Sequence, residues 1–404
     1  PVIIRNSMKI TRIETARPAG NALLALRIHT DEGIIGNGET WHIAGAADAV
    51  IHDWMTQRLL GADPFEIEGH WRFLYERATN IGSRGAELRA ISAMDLALWD
   101  IKAKSVGLPI WQLLGGRAQD GVRTYHSIGY GKQVPRKEGR WPGYGQMGEK
   151  DEWNDYWKAV HEPAAFAREI LAEGVGAVKL WTLDFAAHKL NGDIYVSHTD
   201  INKGLEPFFA IREAVGNQLE LILDGHGFFQ LPMAIRIAEA MRPLQPLALE
   251  DVIRPDCIDT IRDFRDRGGC PVAVSEMLIS MEDYRLLLEK RAADYVMIDP
   301  TWVGGISQTL RITDLAQAYN VPVMMHDCTG PFTLLAGIHV GVARRNVAWQ
   351  ETVRRNLRLT YPQWVTHPVE VRDGRCVAPE APGIGTDWKE ELFTEENQLR
   401  VSQL

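Results

Sequence analysis

The feature that most constrains this chain is a rhythm that starts near residue 122. Eight short apolar runs recur there: "VRTYHSIGY", "AVKLW", "LELILDG", "LALED", "VAVSE", "YVMID", "VPVMMHD" and "VAWQE". Segments of helical pattern, such as "PMAIRIAEAMR" and "MEDYRLLLEKRA", separate them. The last six runs carry a polar residue at their ends. Asp224, Glu250 and Glu276 stand 26 residues apart, Asp299 follows after 23, His326 after 27 and Glu351 after 25. Alternating strand and helix calls for parallel pairing through right-handed crossovers. Eight such units predict an α/β fold, a closed (β/α)8 barrel over 122–373. The C-terminal strand ends of such a barrel form its active-site face. An acid at one strand end often does no more than begin the next helix. Six polar ends in one register predict a site.

The first 121 residues read differently. "MKITRIETARP" and "NALLALRIHTDEGIIGNGET" read as strands broken by the turn signals "DEG" and "GNG". "ELRAISAMDLALWDIKAKSVG" has Leu88, Ile91, Met94, Leu98 and Ile101 at helical spacing, and Gly107 and Pro109 stop it. Two insertions interrupt the barrel rhythm, about 30 residues after the first run and about 20 after the second, and both would stand over the barrel mouth. The formal net charge of -9 argues against nucleic acid as a partner. No apolar run reaches membrane-spanning length. Cys257, Cys270, Cys328 and Cys376 show no paired spacing, so a reduced, cytoplasmic setting is the expectation.

Asp224, Glu250 and Glu276 could converge on one cation. An all-oxygen set favours Mg²⁺, with Mn²⁺ possible, over zinc. Such a cation can hold a substrate carboxylate and make the α-proton removable. His326, with Asp299 on the preceding strand to fix its tautomer, is the expected base. Lys179 would flank the cation and neutralise the substrate carboxylate. Glu351 would hydrogen-bond that carboxylate if protonated. His226, two residues from Asp224, would share its face of the strand and protonate a leaving group. His42, His126, His188 and His198 have no comparable context. Trp41, Arg84, Trp141, Trp181 and Trp302 are candidates for contact with substrate.

These motifs resemble the mandelate racemase subgroup of the enolase superfamily over nearly the whole chain. "AISAMDLALWDIKAKSVGLPIWQLLGG", "DGHG", "LED", "SE", "IDPTWVGGI", "MHD" and "APEAPGIGTDW" stand in that family's order. The resemblance implies an α+β capping domain over 1–121, completed by 374–404, with loops near Pro18–Gly20 and Trp41 over the mouth. It also implies a symmetric homo-oligomer. Racemases of the subgroup carry K-x-K where this chain reads Lys179-Leu180-Trp181, and Trp cannot act as the second base. The D-x-H at Asp224 and His226 resembles acid-sugar dehydratases of the galactonate and mannonate type. Dehydration of an aldonate or aldarate to a 2-keto-3-deoxy acid is therefore the expected reaction. An epimerase or cycloisomerase and a protein with little activity are the alternatives. A tyrosine after the first run, Tyr130, Tyr144 or Tyr156, is the alternative base.

Overall fold

The computed structural model describes residues 8–18, 22–129, 148–189 and 195–404. Tyr130, Trp141, Tyr144 and the Ala19–Gly20 part of the cap loop lie outside them.

Three N-terminal strands, β1 (Ile10–Ala16), β2 (Leu23–Thr30) and β3 (Ile35–Trp41), form an antiparallel meander. Helix Ala86–Ser105 packs on β3 so closely that a Cβ at Gly38 would stand 2.0 Å from the Ala93 carbonyl. Its apolar face, with Leu88, Ile91, Met94, Leu98 and Ile101, is buried in one core with Ile13, Leu24, Leu26 and Ile28. The barrel follows as β4 (Val122–Ser127), β5 (Ala177–Leu180), β6 (Glu220–Asp224), β7 (Ala248–Glu250), β8 (Val272–Val274), β9 (Tyr295–Ile298), β10 (Val323–Met325) and β11 (Val347–Thr352). Neighbours pair in parallel in chain order, and β11 pairs with β4 to close the ring. The hairpin β12 (Glu370–Arg372) and β13 (Arg375–Val377) adds antiparallel to β4. The terminal strand β14 (Arg400–Gln403) returns to pair with β1. The architecture is thus a (β/α)8 barrel under an α+β cap.

Inside the barrel, Tyr125, Ala177, Ile222, Ala248, Ala273, Met297 and Met324 make one buried layer. Side chains alternate along a strand, so the next inward residues are two further on. They are Ser127, Lys179, Asp224, Glu250, Asp299, His326 and, after the partly buried Trp349, Glu351. Five of the six expected polar ends hold that register, and Glu276 stands two residues beyond the end of β8, where strand alternation does not place it.

Two buried acids of the cap clamp it to the barrel. Glu39 accepts from the backbone N–H and hydroxyl of Thr333, and Asp95 from those of Ser307. Both serine/threonine partners lie in the first turn of a barrel helix, Pro331–Ala343 and Gly305–Ala318 respectively, where backbone donors lack partners. Gly305, at φ +85°, leaves room for the Asp95 carboxylate, which would stand 2.3 Å from any Cβ there. Burial pushes the Asp95 carboxyl up to about 7, against the opposing hydrogen bonds from Ser307. An acid raised in the folded state stabilises fully below its unfolded value, and that contribution is lost as pH rises through about 7. Asp95→Asn keeps one acceptor and adds a donor, as the protonated acid does. Its melting temperature should therefore fall less than that of the parent between pH 5.5 and 8. Equal slopes in a thermal melt series would remove Asp95 from this role.

Candidate active site

The inward polar layer gathers at the C-terminal mouth of the barrel. Lys179 is buried at the end of β5 and lies at its centre. Its Nζ is 2.5 Å from Glu250 Oε1, 2.8 Å from Glu351 Oε1 and 3.4 Å from Asp224 Oδ2. Burial alone would lower the lysine pKa, but the facing carboxylates outweigh it and hold the ammonium well above its ordinary value. Burial raises the Glu250 carboxyl, with Asp224, Glu351 and Glu276 adding to it and Lys179 opposing. Glu351 Oε2 accepts from the Tyr125 hydroxyl at 3.3 Å and the Asp327 N–H at 3.1 Å.

His326 lies across the mouth. Its Nδ1 is 2.8 Å from Asp299 Oδ2, while Asp299 Oδ1 accepts from the backbone N–H and the hydroxyl of Thr301. The ring orientation is thus held from behind, and Nε2 faces the site. That nitrogen is 3.8 Å from Glu351 Oε2 and 3.6 Å from the Cys328 Sγ. Burial opposes the imidazolium, but Cys328, Glu351 and Asp299 together move the pKa well up.

His226 comes to Asp224 by a different route from the expected strand alternation. Strand β6 ends at Asp224, and His226 takes φ 45° in the turn beyond it. The turn is closed by the His226 N–H donating to Asp224 Oδ1 at 2.9 Å. The imidazole then bridges two carboxylates, with Nε2 3.3 Å from Asp224 Oδ2 and Nδ1 2.9 Å from Asp184 Oδ2. Burial disfavours the charge, yet Asp224 and Asp184 bring the pKa up to about 10. The side chain remains 36% exposed, so its edge reaches the mouth.

Among the described residues, no three acid, histidine or cysteine side chains are already grouped around one point as metal ligands. The Lys179 ammonium stands between Asp224 and Glu250, and those carboxylates close on it. Even so, Glu250 Oε2 and Glu276 Oε2 are buried acceptors without a donor. Buried carboxylate oxygens without a partner are costly. Beside Asp224, they suit a hard divalent cation.

The aromatic candidates divide between two walls. Trp181 donates through Nε1 to the Ile128 carbonyl, and its ring lies 6.0 Å from His226 and 4.7 Å from Tyr156. Trp302 lies 5.2 Å from the His326 ring and 5.5 Å from His42. Trp41 is half-buried and offers its carbonyl to Arg89. Arg84 instead pairs with Asp283 at the rim, a contact between cap and barrel. Sequence reasoning passed over Tyr125, Asp184, Arg89 and Cys328. Tyr125 had a signal, since it stands at an inward position of "VRTYHS". Asp184 and Arg89 reach the site through loops and the cap, and nothing in their local pattern marks them.

Comparison with known proteins places this geometry. Residues 5–115 match the mandelate racemase / muconate lactonizing enzyme N-terminal domain, and residues 162–392 match the enolase C-terminal domain-like family. A D-galactonate dehydratase of Pectobacterium atrosepticum is 29% identical over 403 residues, 97% of this chain and 95% of its own. An enolase of the mandelate racemase subgroup from Agrobacterium tumefaciens is 34% identical, with a TM-score of 0.85 over 98% of this chain and 99% of that one. A mandelate racemase/muconate lactonizing enzyme-like protein from Rubrobacter xylanophilus is 28% identical, with a TM-score of 0.83 over 97% and 98%. No described helix is long and apolar enough to cross a membrane.

Proposed function

The chain belongs to the mandelate racemase / muconate lactonizing enzyme family of the enolase superfamily, and from that premise we propose that it is a Mg²⁺-dependent acid-sugar dehydratase. The observation that carries the reading is the pair of histidines facing one mouth, each backed by its own acid. His326 with Asp299 supplies a base, and His226 with Asp184 supplies an acid. The dehydratase names of the relatives at 29% identity lean the same way.

Asp224, Glu250 and Glu276 would hold Mg²⁺, which when bound polarises a carboxylate and acidifies the neighbouring C–H. Lys179 keeps positive charge beside Glu351 and Glu250, where negative charge builds on the substrate. His326 Nε2 takes the α-proton. The β C–O bond then breaks, and His226 delivers a proton so that the hydroxyl departs as water. The enol that remains gains a proton at C3 to give the 2-keto-3-deoxy acid. Trp181 closes the wall where racemases of this family would place a second lysine. Its indole N–H is committed to the Ile128 carbonyl, and an indole cannot serve as a base.

Proton removal and loss of water can be separated. His226→Asn should slow elimination by about 10²–10⁴-fold, the usual weight of a general acid. Exchange of the α-proton in D2O should continue. A variant that still eliminates at the parent rate would take the acid role away from His226.

A further inference from the structure

We infer that Arg89 receives a second anionic group of the substrate, so that the site is shaped for a dicarboxylic sugar acid rather than a monocarboxylic one. The inference rests on the acid-sugar reading and departs from the substrate in the names of the galactonate dehydratase relatives.

Arg89 lies in the first turn of the cap helix Ala86–Ser105, and its guanidinium reaches Trp302 of the barrel. Its Cζ stands 3.9 Å over the Trp302 ring, and Nη1 donates to the Trp41 carbonyl at 3.1 Å. Asp299, Cys328 and Glu276 act on it through space without a hydrogen bond, while burial pulls its pKa down to about 10. The two buried arginines among the described residues are neutralised directly. Arg354 meets Asp155, Glu169 and Glu173, and Arg27 meets Glu390 and the Trp388 carbonyl. Among the described residues Arg89 has no such ion pair. A half-buried guanidinium left without an anion is costly, and its planar fork suits a carboxylate.

A second donor sits beside it. Trp302 is 8% exposed, and its Nε1 has no hydrogen-bond partner. The same indole lies 5.2 Å from the His326 ring. Arg89 and His326 are therefore no further apart than that length and the 3.9 Å stacking distance laid end to end. In a six-carbon aldarate, four bonds separate C2, where His326 acts, from the far carboxyl carbon. A chain of that length, bent past the Trp302 indole, carries the second carboxylate from His326 toward Arg89. An aldonate presents only a hydroxyl there, which leaves the guanidinium charge unanswered.

The test uses the full chain with Mg²⁺. Galactarate, glucarate and mannarate are compared with galactonate, gluconate and mannonate, by calorimetric binding and by proton NMR turnover on the same samples. The expected result is an aldarate that binds at least tenfold more tightly than its aldonate. Arg89→Met should cut that ratio tenfold or more, and Arg89→Lys should retain part of it. A role confined to propping Trp302 would weaken both acids alike, and an unchanged ratio in Arg89→Met would overturn the inference. Tight, Arg89-dependent aldarate binding without turnover would uphold it while removing the dehydratase reading. Turnover of an aldonate with no aldarate bound would do the reverse, and a chain that binds none of the six acids overturns it outright.

Discussion

His326→Asn is expected to lower kcat by about 10²–10⁴-fold, the weight of a general base, with little change in the fold. Asp299 holds Nδ1 at 2.8 Å, and Thr301 holds Asp299 from the other side, so Nε2 is the one ring nitrogen turned to the substrate. Asparagine can keep a hydrogen bond to Asp299 but cannot accept the α-proton. The pH profile gives a second reading. The base works only when neutral, and its surroundings favour the imidazolium. Activity should therefore rise with pH on the acid side, and this limb should vanish from any residual rate of the variant. The His226 acid, raised to about 10, must stay protonated and sets the fall on the alkaline side. Wild-type turnover by His326→Asn would pass the base role to a tyrosine, of which Tyr156 is in the described site, against Trp181.

Lys179→Met should be damaging in two separable ways. Three carboxylates, Asp224, Glu250 and Glu351, share its ammonium in a buried layer. Removing one partner from a buried ionic set costs about 3–5 kcal/mol, because the remaining charges go uncompensated. Metal-free variant should melt well below the parent, and Mg²⁺ should restore part of the loss by supplying positive charge in the same place. Turnover should stay down by about 10²–10³-fold even with Mg²⁺ present, as for loss of one fixed electrostatic partner. A thermal melt with and without Mg²⁺, followed by assay of the loaded variant, separates the two. If stability and turnover both matched the parent, the lysine would be a bystander.

What could be seen in the sequence, and what could not, divides along a physical line. The barrel was legible because each βα unit writes its own local pattern, and the 23–27-residue spacing places one polar residue at each strand end. His326 and Asp299 were legible as a pair for the same reason, since adjacent parallel strands in equal register bring their ends together. Glu276 reads as one of that set, and it lies two residues past the three-residue strand β8, beyond the reach of apolar–polar alternation. His226 was found for a reason the structure replaces. It meets Asp224 through a turn with φ 45°, not through strand alternation. Asp184, which orients His226, and Arg89, which stacks on Trp302, belong to a loop helix and to the cap. Their approach to the site is a tertiary event with no local period to announce it.

The central claim is dehydration at this mouth, and one measurement addresses it most directly. The wild-type chain is incubated in D2O with a panel of aldonates and aldarates, with Mg²⁺ in one arm and a chelator in the other, and followed by proton NMR. A 2-keto-3-deoxy acid is expected from one or more of the acids in the Mg²⁺ arm, and none in the chelated arm. Loss of the α-proton signal with no elimination, or a product formed equally well without the metal, would contradict it.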